Sequence, residues 1–150
     1  MNTASQKQLS LLRKLKLKKH REQLGVFLAE GYHTIEQMVI NKKLVVDELF
    51  IDFEHEQSEG LVSLLESGLD AARVYGMNKS TIKELSDTEH TSGWLAVVQI
   101  PASHSLDDLL ALISSAIEQQ TVDPITSAAN PILLALDEIQ DPGNMGTIIR

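Results

Sequence analysis

The chain contains no cysteine. That excludes disulfides, thiolate metal sites and a cysteine nucleophile, and it fits a reducing cytoplasm. No apolar stretch approaches the length of a membrane span, and the N-terminus lacks the apolar core of a signal peptide. A soluble, cytoplasmic chain with no membrane partner is therefore the expectation. His33, His55, His90 and His104 stand at no metal-ligand spacing with carboxylates, so no metal site is expected. The G-x-S-x-G, Walker A and G-x-G-x-x-G patterns are missing as well.

Acidic residues are absent from the first 21 positions, although the whole chain carries a net charge of −8. That segment holds Lys7, Arg13, Lys14, Lys16, Lys18, Lys19 and Arg21, seven of the thirteen basic residues. The remainder has six basic and twenty-one acidic residues, a net of −15. Such asymmetry points to a localised polyanion-binding element on a body that otherwise repels anions. Leu9, Leu12 and Leu15 recur at three-residue spacing, which reads as one amphipathic helix with its cations outward. RNA contact by these seven side chains is the preferred reading, since cations that neutralise phosphates supply most nucleic-acid affinity. Pairing with acidic groups of the same domain is the alternative. His20, in the same run, is read as a surface residue without a role.

At 43% hydrophobic content the 150 residues suffice for one domain and part of another. The middle alternates strand and helix signals. Val26 to Ala29 reads as a strand, Tyr32, Ile35, Met38 and Val39 as a helical stripe, and Leu49 to Ile51 as a strand. Residues 59 to 67 read as a helix, followed by Arg73-Val74-Tyr75, a helix capped by Asn78 and running to Leu85, and an apolar strand from Trp94 to Ile100. Repeated units of this length predict a three-layer α/β/α sandwich over residues 1–100. For Glu30-Gly31-Tyr32-His33, lining an RNA groove is one reading, and helix capping by Glu30 beside a close-approach glycine, Gly31, is the other. Trp94 and Tyr75 are read as core in preference to base-stacking platforms.

Residues 101–130 read as a linker rich in Pro, Ser and Ala around one amphipathic helix, with Leu106, Leu109, Leu110, Ile113 and Ile117 on one side and Ser105 with Asp108 as a capping box. Packing on its own core is preferred for this helix over partner binding. From Pro131 the sequence turns apolar through Leu136 and then gives Asp141-Pro142-Gly143-Asn144-Met145-Gly146-Thr147-Ile148-Ile149-Arg150. A run without polar alternation reads as a strand buried on both faces of a parallel sheet. Asp-Pro-Gly is turn chemistry, and Asn144 can cap a following helix. A first strand without its neighbours predicts a truncated second domain over 131–150, and the chain is expected to be a fragment.

The same segment resembles the first motif of the SpoU class of SPOUT RNA methyltransferases, and Phe27-Leu28-Ala29-Glu30-Gly31 and Leu85-Ser86-Asp87-Thr88 with Gly93-Trp94-Leu95-Ala96-Val97-Val98 resemble the substrate-binding domain of that family. Where the family usually has Pro-Gln before the glycine, this chain has Thr91-Ser92. The resemblance covers most of residues 5 to 100 and then 131 to 150. It implies an N-terminal domain similar to small ribosomal RNA-binding proteins, followed by the start of a knotted catalytic domain. The implied activity is transfer of a methyl group from S-adenosylmethionine to a ribose 2′-hydroxyl of tRNA or rRNA. In that family a residue matching Arg150 contacts the phosphate beside the target ribose, and one matching Asn144 positions it. Clamping suits Arg150 better than acting as a base, because a guanidinium stays charged. The resemblance places the donor site and the dimer interface of the parent in later motifs, so no S-adenosylmethionine is expected on this chain and a homodimer is implied only for the parent. A non-enzymatic RNA-binding module and a small nucleotide-binding protein using Asn144-x-Gly146 are the competing readings.

Overall fold

The computed structural model describes residues 1–42, 44–88, 91–102 and 105–118. The motif at 131–150, with Asn144 and Arg150, and the stretch 119–130 lie outside the described residues. The chain divides into two units, Met1–Ala102 and Ser103–Arg150.

The first unit is built from β1 (Asn2–Thr3), α1 (Gln6–Leu15), α2 (Lys18–Leu24), β2 (Val26–Glu30), α3 (Tyr32–Asn41), β3 (Val46–Asp52), α4 (Glu59–Glu66), β4 (Val74–Met77), α5 (Lys79–Leu85) and β5 (Trp94–Gln99). Its five strands form one mixed sheet in the order β1-β4-β3-β5-β2. β1, β4 and β3 run parallel, while β5 is antiparallel to both β3 and β2. Strand period decides which residues meet which helices. Leu49, Ile51, Trp94, Ala96 and Val98 face Ile35 and Val39 of α3 and Leu61 and Leu64 of α4. Phe50, Leu95 and Val97 face the opposite way, onto Leu12 and Leu15 of α1 and Ile82 and Leu85 of α5. This is the expected three-layer sandwich, and it explains the unbroken apolar runs: β3 and β5 are covered on both sides. Trp94, 4% exposed, is core as expected.

The basic segment is where local structure departs from expectation. It forms two helices, because α1 ends at Leu15 and Leu17 takes an extended conformation before α2 begins. Arg21 turns back and its Nη1 donates to the carbonyls of Leu15 and Lys16, 2.9 Å each, satisfying acceptors that a helix end leaves open. A capping box opens α1, with Ser5 and Gln8 bonding each other's backbone. Leu12 and Leu15 are fully buried, and each contributes about 1.5–3 kcal/mol by leaving water. The basic helix is thus part of the core and not an appended tail. The two-residue β1 was not foreseen.

At Glu30-Gly31 the capping reading is corrected. Gly31 is itself the N-cap of α3, at φ +96, and no side chain caps that helix. The glycine is required by its backbone angle and not by crowding, since the nearest atom to an added Cβ would be Thr34 Oγ1 at 3.8 Å. Asn78 sits at the start of α5 in extended conformation, without a side-chain capping bond. In the second unit α6 (Leu106–Glu118) carries the expected cap: Asp108 Oδ2 accepts from the Ser105 amide at 2.9 Å and hydroxyl at 2.7 Å, and the Asp108 amide donates back to Ser105 Oγ at 3.1 Å.

Candidate nucleic-acid interface

The seven cations of the first segment fall into two groups by what they touch. Arg13 Nε donates to Glu84 Oε1 at 2.8 Å, and Lys16 Nζ donates to the Glu84 carbonyl at 2.8 Å and lies 3.7 Å from Asp87 Oδ1. The bond and charge of Glu84 push the Arg13 guanidinium further up, and the same pair pulls the Glu84 carboxyl down. Lys18 lies 3.6 Å from Glu22 one turn on, and Arg21 is occupied with the carbonyls of α1. Lys7, Lys14 and Lys19 are exposed and have no carboxylate within ion-pair distance among the described residues. Pairing with the domain's own acidic groups thus describes Arg13, Lys16 and Lys18, while Lys7, Lys14 and Lys19 face solvent.

Two of those three line an open groove. It has a volume of about 910 Å³ and lies between α1 and α2, with Lys7, Ser10 and Lys14 along one wall, His20 on the other, and Glu48 and Tyr75 from the sheet. Tyr75 stacks on Phe50 with ring centres 5.5 Å apart and 27° between planes. Glu48 Oε1 accepts from Gln8 Nε2 at 2.8 Å. His20, given no role from sequence, and Tyr75, read as core, both reach this groove. No spacing in the sequence could have brought residues 7, 20, 48 and 75 together, because the sheet does so.

A second cluster lies at the sheet end where β2 and β3 finish and β5 begins. Glu30 accepts there from the Ser86 hydroxyl, from Thr88 Oγ1 at 2.7 Å and from the Asp87 amide at 3.3 Å. Burial opposes its ionisation more than any one bond favours it, yet the donors of Ser86, Thr88, Asp87 and Thr91 together hold its carboxyl below the usual carboxylate range. Glu30 so clasps the loop after α5 to the end of β2. The short sequence Leu85-Ser86-Asp87-Thr88 and the glutamate, singled out separately, are one structural unit. Gly93, at φ +83 in the same loop, leaves room for His55, whose Nε2 lies 3.1 Å from the Ser92 carbonyl oxygen. An added Cβ there would meet His55 Nε2 at 2.8 Å. His33 is 93% exposed in the first turn of α3, with Nδ1 3.6 Å from Glu36 Oε2. Tyr32 beside it donates to Glu36 Oε1 at 2.6 Å, which together with burial raises its phenol above the ordinary range, and it meets Trp94 edge-on.

Lys7 and Lys14 thus lie on one surface, and Glu30 and His33 on another. The groove and its lysines can neutralise phosphates; the Glu30 cluster shapes a loop beside the exposed His33. Among the described residues no group of histidine, aspartate or glutamate side chains could hold a metal ion, and no helix is long and apolar enough to cross a membrane.

Residues 6–96, from α1 into β5, match the family described as the MRM3-like substrate binding domain. In sequence the chain is 28% identical over 138 residues to the 23S rRNA (guanosine(2553)-2′-O)-methyltransferase RlmP of Bacillus subtilis, covering 92% of this chain and 44% of that protein. It is similar in structure to the SpoU methyltransferase AviRb from Streptomyces viridochromogenes, solved in complex with AdoMet, at 24% identity and a TM-score of 0.53, over 69% of this chain and 38% of that one. An RNA 2′-O ribose methyltransferase gives 20% identity and a TM-score of 0.56, over 71% of this chain and 40% of that one. At these identities the structural likeness establishes the fold. The chain spans less than half the length of each of these relatives.

Proposed function

Since the chain belongs to the family of MRM3-like substrate-binding domains, we propose that it is the RNA-recognition part of an S-adenosylmethionine-dependent ribose 2′-O-methyltransferase acting on ribosomal RNA or tRNA in the cytoplasm. The observation that carries this reading is the coincidence of the family match at 6–96 with the sandwich whose first helix displays Lys7 and Lys14. Residues 1–100 are the RNA-binding domain, 101–130 the linker with α6, and 131–150 the opening strand and turn of the catalytic domain. Lys7, Arg13, Lys14, Lys16, Lys18, Lys19 and Arg21 supply the positive field. Glu30 and His33 border the second surface, with Glu30 acting through the loop that it holds.

In the parent enzyme Arg150 clamps the phosphate next to the target ribose, and Asn144 orients it. Both roles are positional, which suits a reaction whose barrier falls when the ribose oxygen is held in line with the methyl group. When bound, the sulfonium donor supplies that methyl group. None of residues 1–118 is assigned to hold it, and the parent is proposed to complete that site, and a homodimer, through later motifs. This chain is then inactive by itself, and calorimetry with S-adenosylmethionine should show no saturable micromolar site.

The test of recognition is a titration of the chain into labelled fragments of 23S rRNA at several salt concentrations. Binding whose log affinity falls linearly with log salt, by roughly 0.7 for each phosphate contacted on single strands, is expected. No RNA binding at low salt would overturn the reading.

A further inference from the structure

We propose that the groove between α1 and α2 holds an unpaired stretch of the RNA substrate, with backbone phosphates along Lys7 and Lys14 and a base over Tyr75. This rests on the reading above and goes further, since it assigns a strand class to a particular groove. Lys7 and Lys14 are seven residues apart on one helix, so they share a flank and stand about 10.5 Å apart along its axis. At roughly 3.4 Å per phosphate in a stacked strand, that interval spans about three steps. Neither lysine has an acidic partner among the described residues, whereas Arg13 on the same helix and Lys16 just past its end do. The free charge of α1 is therefore aimed into the groove.

The floor sets the polarity of the ligand. Tyr75 is braced by its stack on Phe50, and a fixed ring is a low-cost platform for any base. Glu48 is held by Gln8 and places a negative acceptor at that end, which repels phosphate and suits a base amino group or a ribose hydroxyl. Phosphate thus lies at the lysine wall and the nucleoside at the Tyr75–Glu48 floor. A paired A-form stem presents its backbone and shallow groove outward and cannot lower a base into such a recess. Half-buried His20 closes the opposite wall.

The test uses the whole chain and a fluorescent single-stranded oligouridylate of about ten nucleotides, with a blunt RNA hairpin as comparison. Ser10→Trp fills the groove without changing charge, and it should weaken oligouridylate binding by about tenfold or more while leaving the hairpin affinity unchanged. Lys7→Gln with Lys14→Gln should lower the single-strand salt slope by roughly 1.4, two contacts' worth. Circular dichroism checks that each variant folds. Independently of any variant, 4-thiouridine in the oligonucleotide should crosslink on the wild-type chain to peptides containing Tyr75 or His20. Wild-type affinity in a folded Ser10→Trp chain, or crosslinks confined to the Glu30–Gly93 end of the sheet, would overturn the groove while leaving RNA recognition standing. Absence of any RNA binding by the wild-type chain would overturn both.

Discussion

Replacing Glu30 with glutamine should destabilise the domain in a pH-dependent way. The carboxylate accepts from Ser86, Thr88 and the Asp87 amide, and the isosteric amide can offer only one accepting oxygen while turning an NH₂ group toward at least one of these donors. Bonds to a charged acceptor contribute about 1.5–3 kcal/mol each, and one mispaired donor costs a similar amount. Discounting for partial exposure, a net loss of about 2 kcal/mol is expected at pH 7. For a unit of this size that lowers the melting temperature by roughly 8–16 °C. The Glu30 carboxyl is held below its usual range in the folded chain, so its contribution is present above the unfolded value, about 4.3, and is lost as pH falls through the folded value. Glutamine does not titrate. Thermal denaturation followed by circular dichroism should therefore show a gap between wild type and Glu30→Gln that is full at neutral pH and closes below about pH 4, other carboxylates cancelling between the two proteins. A gap that stays constant from pH 7 into the acid range, or no gap at pH 7, would refute the claim that an ionised Glu30 holds the loop.

Three further outcomes follow from the same contacts. Lys14→Gln should lower the salt slope of RNA binding by roughly 0.7, whereas Arg13→Gln, whose guanidinium already faces Glu84, should change that slope less and reduce thermal stability slightly; anisotropy titrations and melting curves on both variants check this. Gly93→Ala should cost more than Gly25→Ala in urea denaturation, because both residues have positive φ but an added Cβ meets His55 at 2.8 Å at position 93 and nothing within 4 Å at position 25; the αL penalty alone is about 1–2 kcal/mol. Lys16→Gln and Glu30→Gln should be non-additive by about 0.5 kcal/mol or more in a double-mutant cycle, since Lys16 holds Glu84 and Asp87 from one side and Glu30 holds Asp87 from the other.

Periodicity carried most of the fold. The stripe Ile35, Val39 and the pair Leu61, Leu64 point where their spacing says, and the apolar run Trp94–Val98 is a strand covered on both faces. Those signals are local. Two features were less legible, for different reasons. The break after Leu15 depends on Arg21 returning to the carbonyls of Leu15 and Lys16, and a row of basic residues does not reveal which one will turn inward. Strand β1 is only two residues long and exists because Tyr75 and Gly76 offer it a parallel partner, a contact across more than seventy positions. The candidate surfaces behaved likewise: the lysines were visible as charge, but Tyr75, Glu48 and His20 acquire a common address only when the sheet brings β3 and β4 beneath α1 and α2.

The division of labour within the basic segment accounts for how so acidic a chain could carry the RNA-binding surface proposed for it. A polyanion approaching a body with a net charge of −15 beyond residue 21 is repelled unless positive charge is both concentrated and rigidly placed. Burial of Leu12 and Leu15 fixes α1 on the sheet, and the bonds of Arg13 and Lys16 to the end of α5 fix its outer edge. Those two cations thereby give up part of their field to internal carboxylates. In return, Lys7 and Lys14 project from a helix that cannot swing away, beside a groove where Gln8 anchors the Glu48 carboxylate at the floor. The same α5 terminus that receives Arg13 and Lys16 continues into Ser86, Asp87 and Thr88, which Glu30 holds. The basic helix and the Glu30 loop are therefore two ends of one hydrogen-bonded chain of contacts, and a change that loosens α5 must disturb both surfaces at once.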